Sequence, residues 1–273
     1  MRRFWGELKT TDFADGRFKD AVAVLPVAAI EQHGPHLPVM TDFAIAEGMI
    51  ATVMRLASEN IGLLVLPVQP VGKSNEHLHA PGTLTLEPHT LIEAWTALGA
   101  SVARAGLRKL VIVNSHGGNE EIVGIVAREL RVRWGMLVAK THWRRFGLPA
   151  GLYDDVENAH GIHAGDIETS LMLHFRPELV DTARAQNFRS IAQDMEESMR
   201  LLRPTGAHAF AWTAADLNPH GAVGDASKAT AEKGCLTAEH QARGFLDLVA
   251  DIGRIDLATF GAFSPSVGER VAK

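Results

Sequence analysis

Four short, almost wholly apolar runs punctuate the first half of the chain, at residues 21–30, 62–68, 109–114 and 136–142. They are too brief for helices and too continuous for half-exposed strands, so each reads as a strand covered on both faces. Between and after them the apolar residues recur at helical spacing, over about 42–57, 87–106, 119–134 and 164–176. In the third of these stretches Ile122, Val123, Ile125, Val126 and Leu130 share one side, the pattern of a helix lying on a sheet. Strand and helix in alternation predict an α/β fold with a mostly parallel sheet flanked by helices. No repeat, low-complexity tract or linker interrupts the pattern, so a single domain is expected over 1–273. Around 187–222 Pro204, Gly206, Pro219 and Gly221 break any period, which predicts loops and short elements covering a site. An amphipathic helix closes the pattern at about 226–251, through Cys235, Ala238, Ala242, Phe245, Leu246 and Val249.

The chemistry sits where the apolar runs stop. The first run breaks into Glu31-Gln32-His33-Gly34-Pro35-His36, with Asp42 ahead of the next helix. In a strand Glu31 and His33 point the same way. Two carboxylates and an imidazole so placed suit a divalent metal; two surface acids and a solvated turn histidine are the plainer alternative. Asp42, or Thr41 before it, also stands where a helix N-cap would, and capping competes with ligation for the same oxygens. His36 is expected to support Glu31 or His33 rather than to bind metal. The third run breaks into Ser115-His116-Gly117-Gly118-Asn119-Glu120. Sites in open α/β sheets form beyond the carboxyl ends of the strands, so His116 and Glu31 are expected in one crevice. For His116 alone, a capping or loop role is the alternative.

A third cluster, His163-Ala164-Gly165-Asp166-Ile167-Glu168, opens the fourth helical stretch. Glu168 has Leu171, Met172 and Phe175 as helical neighbours, which puts it on the inward face, where an unpartnered carboxylate is costly. Asp166 shares its side with Thr169 and Ser170 and reads as a first-turn acid on a polar face. His163, just before the helix, could face the same pocket as Glu168. Ser74, His77 and His79 follow the second strand and could shape a substrate pocket, or could be loop polarity alone. Trp143, at the end of the fourth strand, could stack on a planar substrate from the rim, or could simply pack.

Glu31-x-His33-Gly34-x-His36, Asp42, Ser115 to Asn119 and His163 to Ser170 together make the chain resemble the creatininase family, from about residue 20 to about residue 235. Two weaker segments, Ser74 to Thr85 and Gly221 to Gly234, accompany them. The resemblance implies a hydrolase of C–N bonds in small amides, using two divalent metal ions. Asp42 would bridge the ions, Glu31 would belong to one, and His33 with His116 to the other. It also implies a homohexamer. The enzyme that names the family has His-Tyr-Glu, with its Glu on a metal, where His116-Gly117-Gly118 stand here. Glu168, inward-facing, is expected to supply the missing carboxylate in preference to Glu120 or Glu121. The lost aromatic residue argues against creatinine as substrate. The Gly-Gly-Asn form is more similar to relatives acting on other substrates, among them a formamidopyrimidine nucleotide deformylase, a peptide-trimming maturase and a cyclitol-derived lactone hydrolase.

On this reading the site with two imidazoles takes Zn, and the other takes Zn, Mn or Fe. A water shared by two ions acquires a pKa near neutrality, and His163 is the expected general acid for the leaving nitrogen. Ser74, His79 and Trp143 are the expected substrate contacts. Attack on a cyclic lactone or ketone at the same site is one competing function. A metal-containing binding protein without turnover is another, and His163 speaks against it, because binding needs no general acid.

Composition narrows the rest. A chain of 273 residues can bury one large core. A formal charge of −5 gives no case for nucleic acid or an anionic membrane, although Arg144-Arg145 could meet a phosphorylated substrate locally. Cys235 is the single cysteine, which excludes an internal disulfide and fits a reducing cytosol. The first residues lack the apolar core of a signal peptide, and no apolar run reaches membrane-spanning length. A cytoplasmic protein is expected.

Overall fold

Strands β1 (Val22–Val27), β2 (Leu63–Val65), β3 (Lys109–Asn114) and β4 (Leu137–His142) form a wholly parallel sheet in the order β2-β1-β3-β4. The computed structural model describes residues 3–260. Nine helices accompany the sheet among the described residues: α1 (Thr10–Ala14), α2 (Thr41–Leu56), α3 (Pro88–Arg104), α4 (Glu120–Trp134), α5 (Asp155–His160), α6 (Asp166–Phe175), α7 (Ile191–Ser198), α8 (Ala214–Leu217) and α9 (Ala231–Arg254). A two-residue strand β5 (Asn187–Phe188) pairs antiparallel with β6 (Gly224–Asp225).

Successive side chains of a strand face opposite ways, and the two central strands fill two cores accordingly. Val22, Val24, Val111 and Val113 pack on one face beneath α2, α6 and α9. Ala23, Leu25, Leu110 and Ile112 pack on the other, against Leu91 and Trp95 of α3 and Val126 and Leu130 of α4. The chain leaves β1 for β2 through α2, then returns past β1 to β3 through α3. Right-handed crossovers running in opposite directions lie on opposite faces of a sheet. The helices therefore part at the β1/β3 boundary, and a crevice opens over the carboxyl ends of those two strands.

The expected elements hold, with shifted limits. β1 stops at Val27, short of Glu31, and His33 lies beyond it in bridges with Pro35 and Leu37. Glu31 and His33 therefore converge through turns rather than strand alternation. β2 is only three residues long, an edge strand whose Val65 bridges to Phe4. The last helix starts at Ala231 rather than at 226, because Ala226–Lys228 form a 3-10 turn and Thr230 caps the helix through the Lys233 N–H. The single-domain expectation over 1–273 includes residues 1–2 and 261–273, which lie outside the described residues. Among the described residues no helix is long and apolar enough to cross a membrane.

α6 and α9 meet backbone to backbone, since a Cβ on Gly234 would overlap the Ser170 carbonyl. Gly253, in the same helix, has open space around it. Gly234→Ala is therefore expected to destabilise the protein by about 1–3 kcal/mol. Gly253→Ala should stabilise it by about 0.5–1 kcal/mol. Urea midpoints that move alike in the two variants would rule out the close contact.

Candidate metal centre

Glu31 is fully buried, and neither of its carboxylate oxygens has a hydrogen-bond partner. His33 Nε2 and Asp42 Oδ2 are likewise buried and unpartnered. Buried polar atoms are ordinarily satisfied, so four orphans in one place mark a site built for something positive. Donor atoms of Glu31, Asp42 and His116 lie within 4.8 Å of one another, and so do those of His33, Asp42 and Glu168. Asp42 belongs to both sets, with Oδ1 3.5 Å from His33 Nε2 and Oδ2 3.5 Å from His116 Nδ1. Carboxylate oxygens mixed with imidazole nitrogens fit divalent ions such as Zn, Mn or Fe.

Asp42 keeps its oxygens because it does not cap α2. The N-cap is Met40, without a side-chain bond, and the Thr41 hydroxyl donates to the Pro38 carbonyl. The expected pairing of His116 with His33 does not hold. His116 Nδ1 lies 3.2 Å from Glu31 Oε1, because the ends of adjacent β1 and β3 deliver these two together. His33 Nε2 turns instead toward Glu168 Oε2, at 3.8 Å. Each of these two sets has one imidazole and two carboxylates, whereas a further set, Glu31 with His33 and His163, has two imidazoles. Glu120 is turned away, paired with Arg145 at 2.9 Å.

The charges are strongly coupled. Burial, then the neighbouring Glu31, push Asp42 up to about 6 against the pull of His33. Burial acts the same way on Glu31, but His116, His77 and His163 outweigh it and hold that carboxyl low. Burial disfavours charged His33, yet Asp42, Glu168 and Glu31 win and raise it to about 9. His116 is raised above its ordinary value for the same reason, with Glu31 its main partner against burial.

α6 departs from expectation on its polar side. Asp166 is buried, not solvated, with Lys233 Nζ at 2.5 Å and the Ser170 hydroxyl donating to it at 2.9 Å. The helix lies between α2 and α9, so both its faces are covered. Glu168 is the partly open one, and its Oε2 accepts the Ala164 N–H at 2.6 Å. His163 Nε2 lies 2.8 Å from the Gln32 carbonyl and donates to it, which leaves Nδ1 facing Glu31 Oε1 at 3.7 Å. Burial and the charge of His33 lower His163 to about 4. His36 bonds the Thr169 hydroxyl and stacks on Phe188, bracing α6 rather than Glu31 or His33.

Two connected cavities surround these groups. An inner chamber of about 150 Å³ is lined by Glu31, Asp42, His116, His163, Glu168 and Arg144, among others. An outer groove of about 750 Å³ shares Glu31, His116 and His163 with it, and has Ile92, Ile125 and Trp212 in its wall. None of the expected substrate residues lines either cavity. Ser74 is buried behind His116, its hydroxyl 3.4 Å from Nε2. His79 is exposed. Trp143 is buried in the core, donating to the Ser115 hydroxyl and packed on Phe245. The loop after β2 lines the groove instead through Lys73, Asn75, Glu76 and His77.

Sequence reasoning passed over Glu76 and Gln32 and gave His77 too little weight. His77 Nε2 lies 3.3 Å from Glu31 Oε1, while the Gln32 amide donates to His77 Nδ1 and to the Gly221 carbonyl. The signal was present: Glu76-His77 pairs an acid and an imidazole after a buried strand, as Glu31 and His33 do.

The family described as Creatininase: Creatinine amidohydrolase matches residues 6–249. The chain belongs to the creatininase family. A mycofactocin precursor peptide peptidase of Mycobacterium ulcerans (strain Agy99) is 34% identical over 216 residues, 77% of each chain. A creatinine amidohydrolase of Pseudomonas putida is 33% identical over 203 residues, 66% of this chain and 75% of that one. Among solved structures, a creatininase described with Mn is 27% identical, with a TM-score of 0.74 over 93% of this chain and 100% of its own. A mutant creatininase of the Zn-Zn type is 28% identical, with a TM-score of 0.73 over the same shares.

Because Asp42 faces both donor sets, Asp42→Ala should leave at most one weakly held ion. Glu168→Gln should weaken only the ion beside His33, leaving the one beside Glu31 and His116. Elemental analysis after dialysis checks both, and two tightly held ions in Asp42→Ala would exclude the shared role. Imidazoles must shed a proton to ligate a cation, so ion uptake should release protons and weaken as pH falls.

Proposed function

We propose that the protein is a metal-dependent hydrolase that cleaves the C–N bond of a small cyclic amide or formamide. The supporting observation is the pair of donor sets sharing Asp42, with Glu31 and His116 on one side and His33 and the partly open Glu168 on the other. Two divalent ions held there would supply the Lewis acidity that activates a water and polarises the substrate carbonyl. His163 handles the proton. It is neutral near pH 7, and Gln32 fixes its tautomer so that Nδ1 faces the chamber. It must therefore take a proton before it can deliver one to the departing nitrogen, which leaves poorly unless protonated. By likeness to the family, the reading extends to a homohexamer in the cytoplasm.

The outer groove favours a second reading, an amide within a peptide. Its volume of about 750 Å³ exceeds what a small ring needs, and a peptide peptidase is among the relatives. A lactone would meet the same groups, but its leaving oxygen needs less help from His163.

Hydrolysis of a panel of formamides, lactams, short peptides and lactones by the metal-loaded protein tests the assignment. Turnover of none, at full metal content, would mean a binding protein. His163→Ala should keep its ions while kcat falls about 10²- to 10⁴-fold on amides, with a smaller loss on substrates having better leaving groups. A uniform loss across leaving groups would reduce His163 to a positioning role.

A further inference from the structure

The inner chamber contains one charged side chain that the proposed chemistry does not use. Arg144 lies in the 3-10 turn Trp143–Phe146 that follows β4, half-buried, and it lines the chamber with Glu168 and His163. The turn is rigidly placed. Trp143 anchors it in the core, and His142 Nδ1 accepts the Arg144 backbone N–H. The guanidinium is oriented by a single bond, from Nη1 to the Gly161 carbonyl at 2.9 Å. Among the described residues no acceptor takes Nε or Nη2, and no carboxylate forms an ion pair with this arginine. Arg145 beside it is the contrast, since it is exposed and paired with Glu120.

Nε and Nη2 form the edge of a guanidinium that grips a carboxylate through two parallel hydrogen bonds. The balance of charge points the same way. Two divalent ions would balance the carboxylates of Glu31, Asp42 and Glu168 together with the hydroxide they activate, which leaves the Arg144 cation for the substrate to match. An anionic substrate is therefore favoured over a neutral or cationic one.

We propose that Arg144 is a specificity-determining residue, clamping a carboxylate that the substrate carries a short distance from its scissile amide. The substrate class becomes an amide acid, such as an N-acyl amino acid or the carboxyl end of a peptide. This proposal rests on the hydrolase reading for its place in a reaction, but its binding can be measured separately.

The probes are N-acetylglycine and N-acetyl-β-alanine, each beside its neutral carboxamide. Calorimetric titration of the metal-loaded protein should show both acids binding about 10- to 100-fold tighter than their amides, as expected for a charge-assisted pair. Arg144→Gln should abolish that preference while leaving metal content and affinity for the neutral amides unchanged. Arg144→Lys, the variant closest to the native side chain, should keep the charge but lose the fork, and so retain only part of it. The absence of an acid preference in both pairs would overturn the proposal. So would a preference that persists in Arg144→Gln, which would place the carboxylate on the metal ions. Hydrolysis of the same compounds separates the two readings. Turnover of acids and amides alike removes the clamp and keeps the hydrolase. An Arg144-dependent preference without turnover of any of them keeps the clamp and removes the hydrolase.

Discussion

A fully buried carboxylate that the protein itself does not hydrogen-bond is the constraint around which this structure is arranged. Glu31 requires positive charge close by, since an ion stripped of water without compensation is prohibitively costly. His116, His77 and His163 approach its Oε1 at 3.2, 3.3 and 3.7 Å. They come from three separate segments, after β3, after β2 and before α6, and the backbone is tied so that they stay there. The Asn119 amide donates to the Ala28 carbonyl and accepts the Lys73 N–H, joining the ends of β1 and β3 to the loop after β2. Gln32 joins that loop to Gly221. The position of Glu31 thus dictates loop geometry on every side of the crevice.

The segment carrying His163 and Glu168 is held under strain. Ala164 has φ of 55°, and among the described residues it is the one non-glycine with positive φ. That conformation costs an L-residue about 1–2 kcal/mol. It also aims the Ala164 N–H at Glu168 Oε2. Another buried carboxylate braces the segment. Glu157 accepts the N–H groups of Ile167 and Asp225, and Gly161, Gly165 and Gly224 close around it with no room for a Cβ. Strain kept at a functional site and compensated by the surrounding structure is a familiar arrangement.

The sheet and its main helices were legible because continuous apolar runs and helical periodicity are local properties. The candidate metal-site side chains were legible as types, since Glu31, His33, Asp42 and His116 stand where apolar runs break and Glu168 stands on the apolar side of its helix. Their partnership was not legible. Whether His116 meets Glu31 or His33 depends on strand order and on the turns after Val27, neither of which periodicity encodes. Asp166 was misplaced because Lys233, which neutralises it, lies 67 residues away. Trp143 was misplaced because the helix that covers it, α9, is also distant in sequence. In each case the missing information is a contact between remote segments.

Gly118 shows how firmly the carboxylate supply is committed. A Cβ there would strike the Lys73 carbonyl, the Glu76 carboxylate and the His116 ring, so this position has no room for a side chain. A glutamate at Gly118 demands retreat of the loop after β2, which carries Glu76 and His77 beside His116 and Glu31. An engineer seeking to bring a carboxylate into the centre from this turn would therefore have to rebuild the loop after β2 along with it.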